Sequence, residues 1–89
     1  MDIMEIQDRN YQATVKRGLI TPKTTQSEFI AKLFEEAREL DISRRFFGEF
    51  DRCELADVMI VCLSIAKHYD IDIMKALEDK TIINEIRKD

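Results

Sequence analysis

Residues 54–66 have the sequence ELADVMIVCLSIA, which contains the longest apolar stretch of the chain. Because apolar side chains occur on nearly every side of a helix built from these residues, the stretch predicts a helix that is buried on most sides. Glu54 points to the same side of this helix as Val58 and Val61. A bare carboxylate on an apolar face is costly. Glu54 therefore needs a partner, which can be a basic side chain, a proton or a metal ion.

The sequence on either side of this stretch predicts three more helices. Gly18 is a natural end for the first helix, and Thr25 with Glu28 fits a capping box at the start of the second. Asp70 or Asp72 caps the fourth. The first three predicted helices cover residues 3–17, 25–40 and 50–69, with a connector over residues 41–48, and the fourth runs to about residue 87. We therefore expect an all-α fold, a four-helix bundle in a single domain over residues 1–89.

The composition excludes several classes of protein. The chain has 89 residues with only two glycines and one proline, too few for the many turns of a β-sandwich or barrel. A net charge of −4 without a basic run argues against general binding to nucleic acid. The sequence shows no signal peptide, no membrane span and no disulfide framework, so we expect a cytoplasmic protein. Such a small core also favours self-association.

Two of the predicted helices each carry a pair of acids three residues apart. The pairs are Glu36 with Glu39 and Glu54 with Asp57. This spacing places both carboxylates of a pair on one helix face. If the two helices pack antiparallel, four carboxylates converge, and divalent cations that prefer oxygen ligands relieve their repulsion. The pattern predicts a Mg²⁺ site that also accepts Mn²⁺, unless the acids are solvated or ion-paired helix faces.

The same acids carry a resemblance to a known family. Residues 32–40, KLFEEAREL, resemble the K-L-x-E-E-x-x-E-L stretch of the MazG-like nucleotide pyrophosphohydrolases, which are all-α NTP pyrophosphatases. Residues 54–58, ELADV, are similar to the E-x-x-D motif of that family. Residues 71–87 are similar to its closing helix. The resemblance covers about residues 29–87.

The resemblance implies a function and a set of site residues. It implies Mg²⁺-dependent hydrolysis of an NTP or dNTP to the monophosphate and pyrophosphate, in nucleotide-pool house-cleaning, by a homodimer or homotetramer. It also implies that Glu35 supports the metal ligands or orients the attacking water. The position of Glu35 on the helix, about 100° from Glu36, alternatively allows an ion pair with Lys32 or with a neighbouring subunit. The implied metal ligands are Glu36, Glu39, Glu54 and Asp57. The substrate-binding candidates are Lys32, Lys80, Asn84 and Arg87.

The spacing of the last three candidates supports a role in phosphate binding independently. Lys80, Asn84 and Arg87 lie on one face of the fourth helix, where two cations and an amide can hold phosphate oxygens. The alternative is a helix end that frays into solvent. The candidates for contact with the nucleobase are Tyr11, Lys16, Arg17 and the segment 44–47, RRFF, whose phenylalanines can instead form an oligomer interface.

Three other functions are compatible with the same residues. Phosphoribosyl-ATP pyrophosphohydrolase is a related short all-α enzyme with a similar plan of paired acids. A nucleotide-binding or regulatory module could use the same fold without turnover. A purely structural oligomerisation bundle would bind neither nucleotide nor metal.

Overall fold

The computed structural model describes residues 1–88, which form four helices and contain no strand. The all-α prediction is confirmed, while the last residue of the predicted domain, Asp89, lies outside the described residues. None of these four helices is both long and apolar enough to cross a bilayer. The helices are α1 (Ile3–Lys16), α2 (Gln26–Phe47), α3 (Arg52–His68) and α4 (Ile73–Ile86).

Gly18 lies just after the end of helix α1 and its cap residue Arg17, where the sequence predicted that the helix stops. Gly18 has φ +76°, a conformation that glycine adopts without the steric cost of a Cβ atom. Its N–H donates to the carbonyl of Val15, and the N–H of Leu19 donates to the carbonyl of Thr14. These two hydrogen bonds form a Schellman motif, which satisfies carbonyl groups left free at the end of the helix.

The other helices begin at side-chain caps. The predicted capping box is confirmed, because the Glu28 N–H donates to Thr25 Oγ1 and the Glu28 side chain accepts from the Thr25 N–H. Asp72, rather than Asp70, caps α4. Asp70 instead follows α3 in the left-handed conformation, with φ +53°.

Helix α2 is longer than predicted and runs to Phe47. The prediction of a connector over residues 41–48 is therefore wrong. The carboxylate of Asp41 pairs with Arg44 at 2.7 Å and with Arg45 at 2.9 Å. Both spacings place the partners on one helical face and favour continuation of the helix. The helix ends at Phe47, and Gly48 caps it with φ +82°. The turn therefore begins at the glycine, and the charged residues before it belong to the helix.

Helix α3 is the centre of the packed unit and contacts both α1 and α2. A buried hydrogen bond of 2.9 Å joins α1 to α3, donated by Gln7 Nε2 to the carbonyl of Leu63. Helix α4 contributes no buried residue. The described chain therefore packs α1–α3 around one core, and α4 adds little to it. The buried apolar residues are Ile20, Phe29, Val61, Leu63 and Ala66.

Many large apolar side chains are exposed, and some of them are neighbours on one helix. Ile82 and Ile86 of α4 are exposed, and so are Phe46 and Phe47 at the end of α2. The two phenylalanine rings contact each other edge to face, with centroids 4.9 Å apart. Contiguous apolar surface of this kind is common where a protein associates with a partner.

Candidate metal centre and its adjoining cavity

Glu36 is the most buried acid of the candidate site. It lies on α2 and is only 8% exposed, although ionised side chains are seldom buried without partners. Its Oε1 atom lies 3.0 Å from Lys32 Nζ, one helical turn earlier. Glu35 Oε1 lies 3.6 Å from the same nitrogen. The hydrogen bond to Glu36 raises the pKa of Lys32, so the ammonium group stays charged beside the acids.

The contact between α2 and α3 brings the two predicted acid pairs together. Carboxylate oxygens of Glu36, Glu54 and Asp57 lie within 4.8 Å of one another, and so do oxygens of Glu35, Glu36 and Glu39. Glu36 belongs to both groups and therefore links the acids of the two helices. The i, i+3 spacing predicted that four carboxylates converge. Three of them, those of Glu36, Glu54 and Asp57, meet in one group, while Glu39 lies with Glu35 and Glu36.

Two carboxylate oxygens of this cluster lack the partners that burial requires. Oε2 of Glu36 and Oε2 of Glu54 are buried and accept no hydrogen bond from residues 1–88. An unpaired buried acceptor loses its hydration without compensation. A divalent cation among these oxygens would satisfy both atoms, and Mg²⁺ and Mn²⁺ prefer such an all-oxygen ligand set. The residues present therefore fit the predicted metal.

Glu39 shows the electrostatic effect of the cluster on an exposed member. The negative charge of Glu36 raises the pKa of Glu39 above its ordinary value. Smaller contributions come from Glu54 and Glu35. The repulsion expected among converging carboxylates is therefore present, and a bound cation would reduce it.

A cavity of about 560 Å³ adjoins the acids and lies between α1, α2, α3 and the loop that joins α1 to α2. Glu36 and Asp57 line it together with Lys32. Its volume is in the range of small-molecule sites, about 300–1,000 Å³. The apolar part of its wall comes from Leu19, Ile20, Phe29, Ile60 and Val61.

The cavity also has polar lining that the sequence did not indicate. Asn10 and Thr14 of α1 and Ser64 of α3 line it. Their sequence signal is weak, because polar residues one turn apart are ordinary on a helix surface. Only the packing of α1 against α3 shows that these side chains face the same space as the acids.

The predicted base-contacting residues are distributed differently from the expectation. Arg17 lines the cavity. Tyr11 Oη instead shares a hydrogen bond of 2.9 Å with Nδ1 of His68, the only histidine in the sequence. Lys16 is exposed at the end of α1. The segment 44–47 is the last turn of α2 and does not line the cavity.

The predicted phosphate-binding residues lie away from the cavity. Lys80 and Asn84 are exposed on α4, and Arg87 follows that helix. None of these three residues lines the cavity. The Nη1 atom of Arg87 lies 3.3 Å from Oδ1 of Asn84, so these two side chains remain neighbours. The structure therefore joins the acids and Lys32 to the cavity but does not bring in the basic end of α4.

Comparison with known proteins found no matching family model, no matching curated protein and no matching solved structure. The geometry of this chain is therefore the basis for the function proposed below.

Proposed function

We propose that the protein hydrolyses a nucleoside triphosphate, either an NTP or a dNTP, to the monophosphate and pyrophosphate in a Mg²⁺-dependent reaction. The observation that carries this proposal is the pair of buried, unpartnered oxygens of Glu36 and Glu54, which lie beside the carboxylate of Asp57. A cavity with an apolar wall opens onto two of these acids, Glu36 and Asp57. A polyphosphate with an uncharged organic end matches both features. Nucleotide-pool house-cleaning is the role that we propose for this reaction.

The acids of both helices would share the metal. We assign Glu36, Glu54 and Asp57 as ligands, with Glu39 completing the set from the exposed side of α2. When bound, Mg²⁺ supplies positive charge that neutralises phosphate oxygens and activates a water molecule. Mn²⁺ would substitute, because it shares the preference for oxygen ligands.

Two neighbouring side chains have roles that do not depend on ligating the metal. Glu35 is exposed beside Glu36, and we propose that its carboxylate orients the attacking water and accepts a proton from it. Lys32 lies 3.0 Å from Glu36 and lines the cavity, where its ammonium group can bind a phosphate oxygen. The ammonium group of Lys32 also offsets part of the negative charge of the acid cluster.

We further propose that the protein works as a homodimer or homotetramer. Helix α4 contributes no buried residue, and its isoleucines Ile82, Ile83 and Ile86 are exposed. Packing against a second copy would cover these side chains. The same packing is a route by which Lys80, Asn84 and Arg87 could reach a phosphate group, since they do not line the cavity of their own chain.

The test is pyrophosphate release from a panel of NTPs, dNTPs and phosphoribosyl-ATP, measured with Mg²⁺, with Mn²⁺ and with EDTA. We expect release that requires a divalent ion and that falls at least about 100-fold in Glu54→Gln, because the variant loses a metal ligand. Asp41→Asn is the matched control, since Asp41 is an acid of α2 that pairs with arginines outside the cluster.

The other outcomes separate the remaining functions. Pyrophosphate release from phosphoribosyl-ATP alone would show that the protein is a phosphoribosyl-ATP pyrophosphohydrolase. Nucleotide binding that needs Mg²⁺ but yields no product from any substrate would indicate a binding module. If divalent ions change neither nucleotide binding nor the melting temperature, the acids do not form a metal site and the proposal is wrong.

A further inference from the structure

The cavity has two chemically different ends, and the direction of the helices defines them. Glu36 of α2 lies beside Asp57 of α3. Phe29, seven residues before Glu36, contacts His68 near the end of α3, with ring centroids 4.9 Å apart. Helices α2 and α3 are therefore antiparallel. Phe29 and Ser64 lie about 10 Å from the acids along the helix axes, at the rise of 1.5 Å per residue.

Helix α1 closes the end of the cavity that is far from the acids. The hydrogen bond from Gln7 to the Leu63 carbonyl and the one between Tyr11 and His68 show that α1 runs in the same direction as α3. Asn10 lies between Gln7 and Tyr11 on α1 and lines the cavity. It therefore faces the far end, where Phe29 and Ile20 supply buried apolar surface.

Asn10 has hydrogen-bonding capacity that its own helix does not use. Its Nδ2 donates one hydrogen bond of 2.9 Å to the carbonyl of Ile6, which fixes the orientation of the amide. A second N–H remains, and Oδ1 accepts no hydrogen bond from residues 1–88. Thr14 differs, because its hydroxyl hydrogen is donated to the Asn10 carbonyl at 2.8 Å. Asn10 thus offers a donor and an acceptor side by side.

We propose that this far end of the cavity holds the nucleobase of the substrate and that Asn10 determines which base is accepted. The inference rests on the proposed function, since the acids at the other end define where the polyphosphate lies. A side-chain amide pairs in a bidentate manner with the neighbouring donor and acceptor on the edge of a base. The apolar wall accepts the faces of the ring. A base that is wrong for the amide leaves polar groups unpaired, which is an effective source of discrimination.

The direct test uses nucleosides, which lack phosphates, in the presence of EDTA. Saturation-transfer NMR with each nucleoside at millimolar concentration should show contact between the protein and the protons of at least one base. Ala31→Phe places a ring at the cavity, because Ala31 lines it, and should abolish the transfer. Ala37→Phe is the matched control, since Ala37 is exposed on the same helix and does not line the cavity. It should retain the transfer.

A second variant keeps the test decisive if the phenylalanine at position 31 disturbs folding. Asn10→Leu should raise KM at least about 10-fold for the preferred nucleotide with little change in kcat, because it removes a contact made with bound substrate as well as in the transition state. It should also reduce the preference among bases. A merely structural asparagine would leave the order of preference unchanged. Circular dichroism verifies that each variant is helical.

The outcomes distinguish this inference from the proposed function. Hydrolysis with the normal KM and base preference in both Ala31→Phe and Asn10→Leu would overturn the base site and leave hydrolysis intact. Nucleoside contact that Ala31→Phe abolishes, in a protein without hydrolysis, would support the base site and overturn the reaction. Absence of transfer to every nucleoside in the wild-type protein would overturn the inference directly.

Discussion

Helix α2 carries acids in two different surroundings, one rich in positive charge and the other rich in negative charge. Asp41 is held by Arg44 and Arg45, and the hydrogen bond from Arg44 lowers the pKa of its carboxyl group. Five residues earlier, Glu36 has one lysine partner, a buried oxygen without a hydrogen bond, and other carboxylates nearby. In the first case two guanidinium groups hold a single carboxylate at a helix end. In the second case the acids carry excess negative charge that a cation would balance. The partners and the burial of an acid, rather than its charge, therefore indicate a ligand site.

The largest expected difference between the two groups is the response to Mg²⁺. At a Mg²⁺ concentration about 100-fold above its Kd, binding should stabilise the wild-type protein by about 2.7 kcal/mol. That gain corresponds to a rise of roughly 10 °C or more in melting temperature for a chain of this size. Glu36→Gln should lose most of the rise, whereas Asp41→Asn should keep it. Differential scanning calorimetry with and without Mg²⁺ measures both, and an equal rise in all three proteins would contradict a metal site at Glu36.

A smaller effect on stability should appear without metal, and it should have opposite signs for substitutions at Glu54 and at Asp41. Glu54→Gln should increase the free energy of unfolding in EDTA by about 1 kcal/mol, because an amide relieves the charge repulsion around a buried unpaired oxygen. Asp41→Asn should lower the melting temperature slightly, because it removes an exposed ion pair. Urea unfolding measures the first change and thermal unfolding the second. A large loss of stability in Glu54→Gln would show instead that Glu54 forms a structural ion pair.

The smallest expected effect is the pH dependence of the two groups. Glu39 has a raised pKa, so the folded state holds its proton more tightly than the unfolded state does. Its contribution to stability is therefore present below its ordinary pKa of 4.5 and is lost as the pH rises through the raised value. The lowered pKa of Asp41 acts in the opposite sense, since its contribution is present above 3.8 and is lost as the pH falls.

Thermal unfolding in EDTA at a series of pH values separates these contributions. Relative to the wild-type protein, Glu39→Gln should become more stable as the pH rises above about 4.5. Asp41→Asn should be less stable than the wild-type protein at higher pH, and this difference in stability should disappear as the pH falls below about 3.8. Saturating Mg²⁺ should remove the pH dependence of the Glu39→Gln difference and leave that of the Asp41→Asn difference unchanged. The same trend with and without Mg²⁺ in Glu39→Gln would place Glu39 outside the metal ligands.

Much of the local structure could be predicted because it depends on neighbours in the sequence. The glycine end of α1 and the capping box at Thr25 are formed by residues within a few positions of each other, and both were predicted. The error at residues 41–48 has a local cause too, since the ion pairs of Asp41 extend the helix up to Gly48. The i, i+3 and i, i+4 pairs of that segment favour a helix, and the prediction of a connector did not take them into account.

The sequence by itself determined the helices, their caps and the pairing of acids on single helix faces, because each follows from helical periodicity and from contacts between near neighbours. Only the tertiary structure decided which of these faces meet. It placed Glu36 beside Glu54 and Asp57, left two of their oxygens without partners, and turned Asn10 of α1 toward the same cavity. It also left α4, with Lys80, away from that cavity. The physical reason is that these arrangements depend on how helices distant in sequence pack around α3, which no local pattern specifies.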